Sequence, residues 1–289
     1  MIVISKHSNQ LCNRLFTYLP ALSYALEANE SVCFLFQYKG YNSLFPNLEK
    51  EGIHSYWIDS QIRPSIQSKI FNAVIRCINK FTHLVIRPNE KVPLHQPLRY
   101  LFNSKWKEAR QDQAYINKHA PHLRFLFSPS ESVWEQINHL LHNTDADMLT
   151  IGVHIRRGDY RTYRNGIYFY ELDVYHQYML HLKKIFEEQN KRVRFLICSN
   201  EPIDLHFFSQ CNTLMQKGKD MLVDLYALSK CDYIIGPPST YSQWASFYGE
   251  VPLQVLNSAH STLSLDKFSI TKSLDNYLSL LSDENAKEK

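Results

Sequence analysis

Glycine is scarce in this chain of 289 residues: only 8 occur, with 12 prolines, and no run of either stands out. That leaves no flexible linker, collagen-like repeat or low-complexity tract. Paired cysteines are lacking too. The six (Cys12, Cys33, Cys77, Cys198, Cys211 and Cys231) form no C-x-x-C, and Cys33 and Cys198 sit inside apolar runs. The pattern speaks against a disulfide framework and for reduced, buried thiols in a cytoplasmic protein. "MIVI" turns polar after four apolar residues, which is no signal peptide. No window of about 18 uncharged apolar residues exists to span a bilayer, so a soluble protein is expected.

What is present is enough apolar residue for a real core, 44% hydrophobic against 21% charged, in a length that suits two ordinary domains. Net charge is only +4 but unevenly placed. Between residues 61 and 125 stand twelve Lys/Arg against three acids, a local excess of +9, so the remainder carries about −5. Such asymmetry implies an anionic surface or partner near that segment.

"MIVI", the helical repeat Leu11, Leu15, Leu19, Leu22, Leu26 and "SVCFLF" predict a strand, a helix from about 11 to 27 and a second strand. Residues 65–81 predict an amphipathic helix with Ile66, Ile70, Val74, Cys77 and Phe81 on one face and Lys69, Arg76 and Lys80 along its border. That helix either packs on the core or rests its basic face on a membrane. From "MLTIGVHI" onward, strands alternate with helices through "VRFLICS", "LVDLYALSKC", "DYIIG", "SQWASFYG" and "PLQVLN", ending in a helix that frays into a charged tail. The fold class is α/β with parallel sheets. The boundary is expected near residues 140–148, giving domains 1–145 and 146–289 around a cleft.

Three stretches carry chemistry. In "LTIGVHIRRGDY", alternation puts His154 and Arg156 on one face at a strand's carboxyl end, where open α/β sheets bind ligands. Arg157 and Asp159 follow on the turn. A guanidinium fork fits phosphate oxygens, although arginines also pair with acids across a surface. In "CDYIIGPPSTYSQWASFYG", a strand leads through two prolines to a helix capped by Ser239 or Thr240. Its free N–H groups can hold a phosphate, with Ser242 adding a hydroxyl. In "FLICSNEP", Ser199, Asn200 and Glu201 lie just past a strand where a ribose or base would sit. Asp224 could accept from the N1–H and exocyclic amine of a guanine. Asp145-x-Asp147 has the spacing of a cation site but lies at the wrong end of its strand, and one such pair is expected by chance. No metal is expected.

Together these stretches resemble a family. "HIRRGDY" is similar to the H-x-R-R-G-D-Y signature of the alpha-1,2-fucosyltransferases. "NQLCNRLFTY" resembles that family's first loop, G-x-L-G-N-Q-L-F-Q-Y, with Asn9 and Cys12 at its glycines and Arg14 at its glutamine. "CDYIIGPPSTYSQWASF" resembles the block S-T-F-S-W-W-A, with Tyr241 for Phe and Gln243 in place of the first of the two tryptophans.

The resemblance implies a GT-B-like protein of two Rossmann-like domains, an acceptor-side domain and a GDP-sugar-binding domain. The implied activity is inverting, metal-independent transfer of L-fucose from GDP-fucose, with no further cofactor, to a hydroxyl of an oligosaccharide or lipid-linked glycan, through an alpha-1,2 linkage. Arg156 is then implied to grip the β-phosphate, His154 and Arg157 to shape the pocket, and Ser239, Thr240, Tyr241 and Ser242 to hold the diphosphate. Asn13, with Arg14 beside it, is implied to reach the sugar phosphate across the cleft. Asp159, then His154, is the expected general base. Nucleic acid is not an expected partner, whereas peripheral contact of residues 61–125 with the inner membrane surface is. The alternatives are a transferase using another GDP-sugar and a non-catalytic, basic polyanion-binding protein.

Overall fold

The computed structural model describes residues 2–4, 10–35, 41–56, 66–71, 73–74, 77, 85–86, 99–101, 113–142, 147–218 and 220–272. The chain divides into two compact units, Met1–Ser130 and Glu131–Lys289.

The first unit is built on a parallel sheet of β1 (Ile2–Ile4), β2 (Val32–Leu35), β3 (His54–Tyr56), β4 (Val85–Ile86) and β5 (Arg99–Leu101), in the order β3-β2-β1-β5-β4. β1 is buried along its whole length, as its unbroken apolar run requires of a strand covered on both faces. Helix α1 (Leu11–Ala28) buries Leu15, Phe16, Leu19 and Leu22 and ends at Asn29, whose left-handed φ of 50° lets its N–H turn back to the carbonyls of Ala25 and Leu26. The short helices α2 (Tyr41–Leu44) and α3 (Pro46–Lys50) and the longer α4 (Gln113–Leu126) belong to the same unit.

Residues 66–71 are helical, as the periodicity predicts, but the face expected to be buried is not. Ile66, Ile70, Val74 and Cys77 are exposed, while Gln67 and Ser68 are the buried ones. Phe81, Arg76 and Lys80 lie outside the described residues. So do most cations of the basic segment, of which only Lys69, Lys118 and Arg124 have described side chains. The five other cysteines are buried, and all six are free. Among the described residues, no helix is long and apolar enough to cross a membrane.

The second unit repeats the plan with longer strands. β6 (Met148–Ile155) and β7 (Arg192–Ser199) pair in parallel over eight positions, from Met148↔Arg192 to Ile155↔Ser199. β8 (Thr213–Leu214), β9 (Tyr233–Gly236) and β10 (Leu253–Val255) complete the order β10-β9-β6-β7-β8. Ile151, Val153, Ile155, Phe195, Ile197 and Ile235 form one core with Tyr175, Met179, Leu182 and Phe186 of α6 (Leu172–Glu187). The chain leaves β6 toward β7 and β8, then returns to lay β9 and β10 on the other side. That switch of direction opens a crevice at the carboxyl ends of β6 and β9. The expected final helix, within residues 273–289, lies outside the described residues.

The division falls earlier than the boundary expected at 145/146. The reason is α5 (Glu131–Leu141), which belongs with the second unit. Its Trp134 ring lies 5.8 Å from that of Tyr226 and 6.3 Å from that of Tyr248, and Lys230 Nζ sits 4.9 Å over it. Those partners are far along the chain, so no local signal marks the helix as part of the later unit.

Candidate functional site

The site begins with the alternation of β6. Ile151, Val153 and Ile155 point into the core, which sends His154 to the opposite face, where it is also buried. A Cβ at Gly236 of the neighbouring β9 would sit 2.9 Å from His154 Cβ, so the close approach requires glycine there. The His154 ring lies 4.9 Å from that of Tyr241. Burial, reinforced by the charge of Arg156, pushes its pKa down to about 3, and the imidazole is neutral at neutral pH. Its Nδ1 is buried with no hydrogen-bond partner.

Arg156 leaves the strand end with its guanidinium held on two sides. Nε and Nη2 donate to the two carboxylate oxygens of Asp159, at 3.0 and 2.6 Å. Nη1 donates to Ser239 Oγ at 3.1 Å. The Tyr160 ring lies 4.6 Å beneath the cation, and its hydroxyl donates to the carbonyl of Pro238. The turn after β6 and the turn after β9 are therefore fastened together at the crevice. Helix α8 (Thr240–Gly249) starts there, capped by Ser239, whose Oγ accepts from the Tyr241 N–H. A guanidinium beside a helix start, with its free N–H groups and positive dipole end, is a setting for a phosphate.

Arg157 is a different case. Nη2 donates to Glu171 at 2.7 Å, Nη1 lies 3.3 Å from Glu201, and the guanidinium sits 5.1 Å over the Phe169 ring. Asn200 binds the same turn, its Oδ1 accepting from the N–H groups of Arg157 and Gly158 and its Nδ2 donating to Asp159. A Cβ at Gly158 would meet Asn200 Nδ2 at 2.8 Å, so a larger residue there would push the end of that side chain aside. Ser199 Oγ accepts from the Glu201 N–H. Asn200 and Ser199, expected to meet a ribose or base, thus shape the arginine turn.

Asp224 lies in the first turn of α7 (Met221–Leu228), whose cap, Asp220, accepts from the N–H groups of Leu222 and Val223. Burial, with the charge of Asp220 adding to it, raises the Asp224 carboxyl to about 7. Gln216, with its amide turned to satisfy both ends, donates to Asp224 Oδ1 and to the Asp220 carbonyl, each at 3.2 Å. The Tyr241 hydroxyl donates to the Met221 carbonyl and so ties the start of α8 to that of α7.

Other expected positions fall differently. Ser242 is fully buried and its hydroxyl donates to the Ser239 carbonyl, so it faces the core and not a diphosphate. Thr240 is buried in the first turn of α8. Asn13 and Arg14 occupy the first turn of α1 in the first unit, both partly buried. As general bases, His154 and Asp159 are both weak: burial disfavours the protonated imidazole, and Arg156 holds the Asp159 carboxyl below the usual range. Among the described residues, no group of three or more His, Cys, Asp or Glu is placed to hold a metal ion. Asp145 lies outside the described residues.

Sequence reasoning missed Tyr160, Phe169 and Glu171. Their one trace is the aromatic and arginine-rich run "YRTYRNGIYFYE" directly after the arginine pair.

No family profile matches the chain. It is 24% identical over 265 residues to an alpha-1,2-colitosyltransferase of Escherichia coli, covering 85% of this chain and 87% of that one. Among solved structures, NodZ alpha-1,6-fucosyltransferase co-crystallised with GDP superposes with a TM-score of 0.53 at 18% identity, over 90% of this chain and 97% of that one. A point mutant of Arabidopsis thaliana FUT1 in complex with GDP gives 0.56 at 14% identity, over 94% of this chain and 74% of that one. NodZ from Bradyrhizobium gives 0.51 at 15% identity, over 88% and 94%. The expected α/β, GT-B-like class is the one shared with these structures, and the chain is fucosyltransferase-like in its fold.

Proposed function

We propose that the chain is a glycosyltransferase that takes a fucosyl group from GDP-fucose and places it on a hydroxyl of a glycan acceptor. The observation that carries this reading is the meeting of Arg156 Nη1 with Ser239 Oγ at the strand-order switch, which sets a guanidinium beside a helix start. The similarity to a colitosyltransferase over 85% of the chain and the fold shared with fucosyltransferases support it.

Breaking the sugar–phosphate bond leaves extra negative charge on the departing diphosphate. Arg156 and the N–H groups at the start of α8 stand where that charge grows, so they stabilise the transition state more than the bound donor. With those groups neutralising the leaving group, the reaction needs no metal. The acceptor's 2-hydroxyl attacks the anomeric carbon from the side opposite the diphosphate as the sugar–phosphate bond breaks, its proton passes to water, and inversion gives an alpha-1,2 linkage. Asp159, chelating Arg156, acts by fixing the guanidinium and not by taking the proton. Asp224 recognises guanine, and Asn13 and Arg14 serve the sugar phosphate. The glycan acceptor is lipid-linked, and the enzyme works in the cytoplasm with its basic segment against the inner membrane surface.

A second reading is transfer of another sugar from GDP, and the name of the colitosyltransferase relative favours it. Hydrolysis and transfer assays with GDP-fucose, GDP-colitose and GDP-mannose, run with a chelator present, separate the two. Turnover of GDP-fucose above the others is the expected result. Preference for another donor replaces the sugar but keeps the nucleotide site, and loss of all turnover with the chelator removes the metal-free mechanism.

A further inference from the structure

Asp159 and Tyr160 are consecutive residues of the 3₁₀ turn Asp159–Arg161, and both turn to the same guanidinium. Asp159 takes its edge and Tyr160 its face, with the ring centroid 4.6 Å from Arg156 Cζ. A cation over a ring face is held most firmly where water is excluded, and Tyr160 is only 3% exposed. The ring is backed by others. Tyr163 stacks on it at 5.4 Å between centroids, with the planes 22° apart, and Tyr168 lies at 6.2 Å.

The hydroxyl of Tyr160 acts on a different strand. It donates to the Pro238 carbonyl, 78 positions along the chain in the turn from β9 to α8, and that bond is buried. Because the peptide unit is planar, holding the Pro238 carbonyl also orients the nitrogen of Ser239. Ser239 Oγ accepts from Arg156 Nη1 and from the Tyr241 N–H, which engages both of its lone pairs. One side chain thus touches the cation and, through Pro238, steadies the group that the cation meets at its far end. Burial pushes the phenol up to about 12, so the hydroxyl remains a donor at neutral pH.

We infer that Tyr160 is a positioning residue for the proposed transfer, its ring setting the Arg156 guanidinium and its hydroxyl setting Ser239. The inference rests on the proposed function. A cation already in place stabilises growing charge without first rearranging. Phenylalanine at this position would keep the face but leave the buried Pro238 carbonyl without its donor, and leucine would remove both supports. A general loosening of the unit would lower activity whether or not Arg156 is present. A residue that acts through Arg156 has nothing left to position once that arginine is gone.

The test is a double-mutant cycle on GDP-fucose hydrolysis with Tyr160→Phe, Tyr160→Leu and Arg156→Ala, beside thermal melts and calorimetric GDP binding. With Arg156 present, Tyr160→Phe is expected to lower kcat about fivefold through the lost hydrogen bond, and Tyr160→Leu about thirtyfold. With Arg156→Ala, each is expected to lower it by less than about twofold. Should Tyr160→Leu fail to fold, Tyr160→Phe decides alone. A wild-type kcat in Tyr160→Phe, or equal losses in the two backgrounds, overturns the inference and leaves the proposed function standing. A wild type that neither binds GDP nor hydrolyses the donor overturns the proposed function, and this inference with it.

Discussion

Arg156 and Arg157 are chain neighbours with side chains 14% and 13% exposed, yet they serve opposite sides of one turn. On the Arg157 side, two carboxylates and a ring hold the guanidinium, while the Asn200 amide takes the backbone N–H of the same residue. On the Arg156 side one carboxylate takes a single edge of the fork, and the remaining nitrogen meets a helix start. Equal burial thus conceals different partners. The first side fastens the turn to two acids, and the second joins it to the start of α8, where the proposed function puts the diphosphate.

The contrast is sharpest in turnover. Replacing Arg156 by alanine is expected to lower it by about 10²–10³-fold while leaving the melting temperature near that of the wild type. A donor-hydrolysis assay beside a thermal melt checks both halves.

His154 extends the Arg156 side into pH. Its imidazole is held neutral with a pKa near 3, against 6.5 when free, so the unfolded chain binds a proton that the folded one refuses. Stability should therefore fall as pH drops through about 6.5 toward 3, by about 1.4 kcal/mol per unit for this group. His154→Gln should flatten that slope in urea titrations at pH 7.5 and 4.5.

Arg157→Ala is expected to do the reverse of Arg156→Ala. It should cost about 1–3 kcal/mol of stability by chemical denaturation, with activity recovering on cooling to temperatures where the variant is folded. A variant that melts like the wild type but is inactive would break the comparison.

Next in size is the nucleotide's response to pH. The Asp224 carboxyl, raised to about 7, must ionise to accept from a guanine. GDP affinity should weaken by up to about tenfold per unit as pH falls below 7, and Asp224→Asn should abolish that dependence in calorimetric titrations. The smallest effect belongs to the turn itself. Gly158→Ala presses on the end of the Asn200 side chain, which can shift, so about 1 kcal/mol or less of stability is expected to be lost.

Much of this was legible in the sequence because it follows from local rules. The apolar runs of β1, β6, β7 and β9 and the periodicity of α1 and α6 name their own elements. The alternation of 151–156 also sets which residues leave the strand together. That Arg156 meets Ser239, 83 positions away, was legible only through the order of the blocks. Other features depend on partners that pattern cannot supply. Asn200 looked like a ligand contact and turned out to bind the turn, because Gly158 brings it close. Ser242 shares a helix start with Ser239, but it is fully buried and its hydroxyl folds back onto the Ser239 carbonyl. The exposed Ile66, Ile70 and Val74 show the same limit, since periodicity finds a face without saying what covers it.

Thermal melts of the wild type and of Arg156→Ala with GDP, UDP and ADP, all without metal, test the central claim most directly. The account predicts that GDP alone raises the wild-type melting temperature, by about 2.7 kcal/mol of stabilisation at a hundred times its Kd, and that the variant loses most of that rise. Equal shifts from the three nucleotides, or a full GDP shift in the variant, would contradict it.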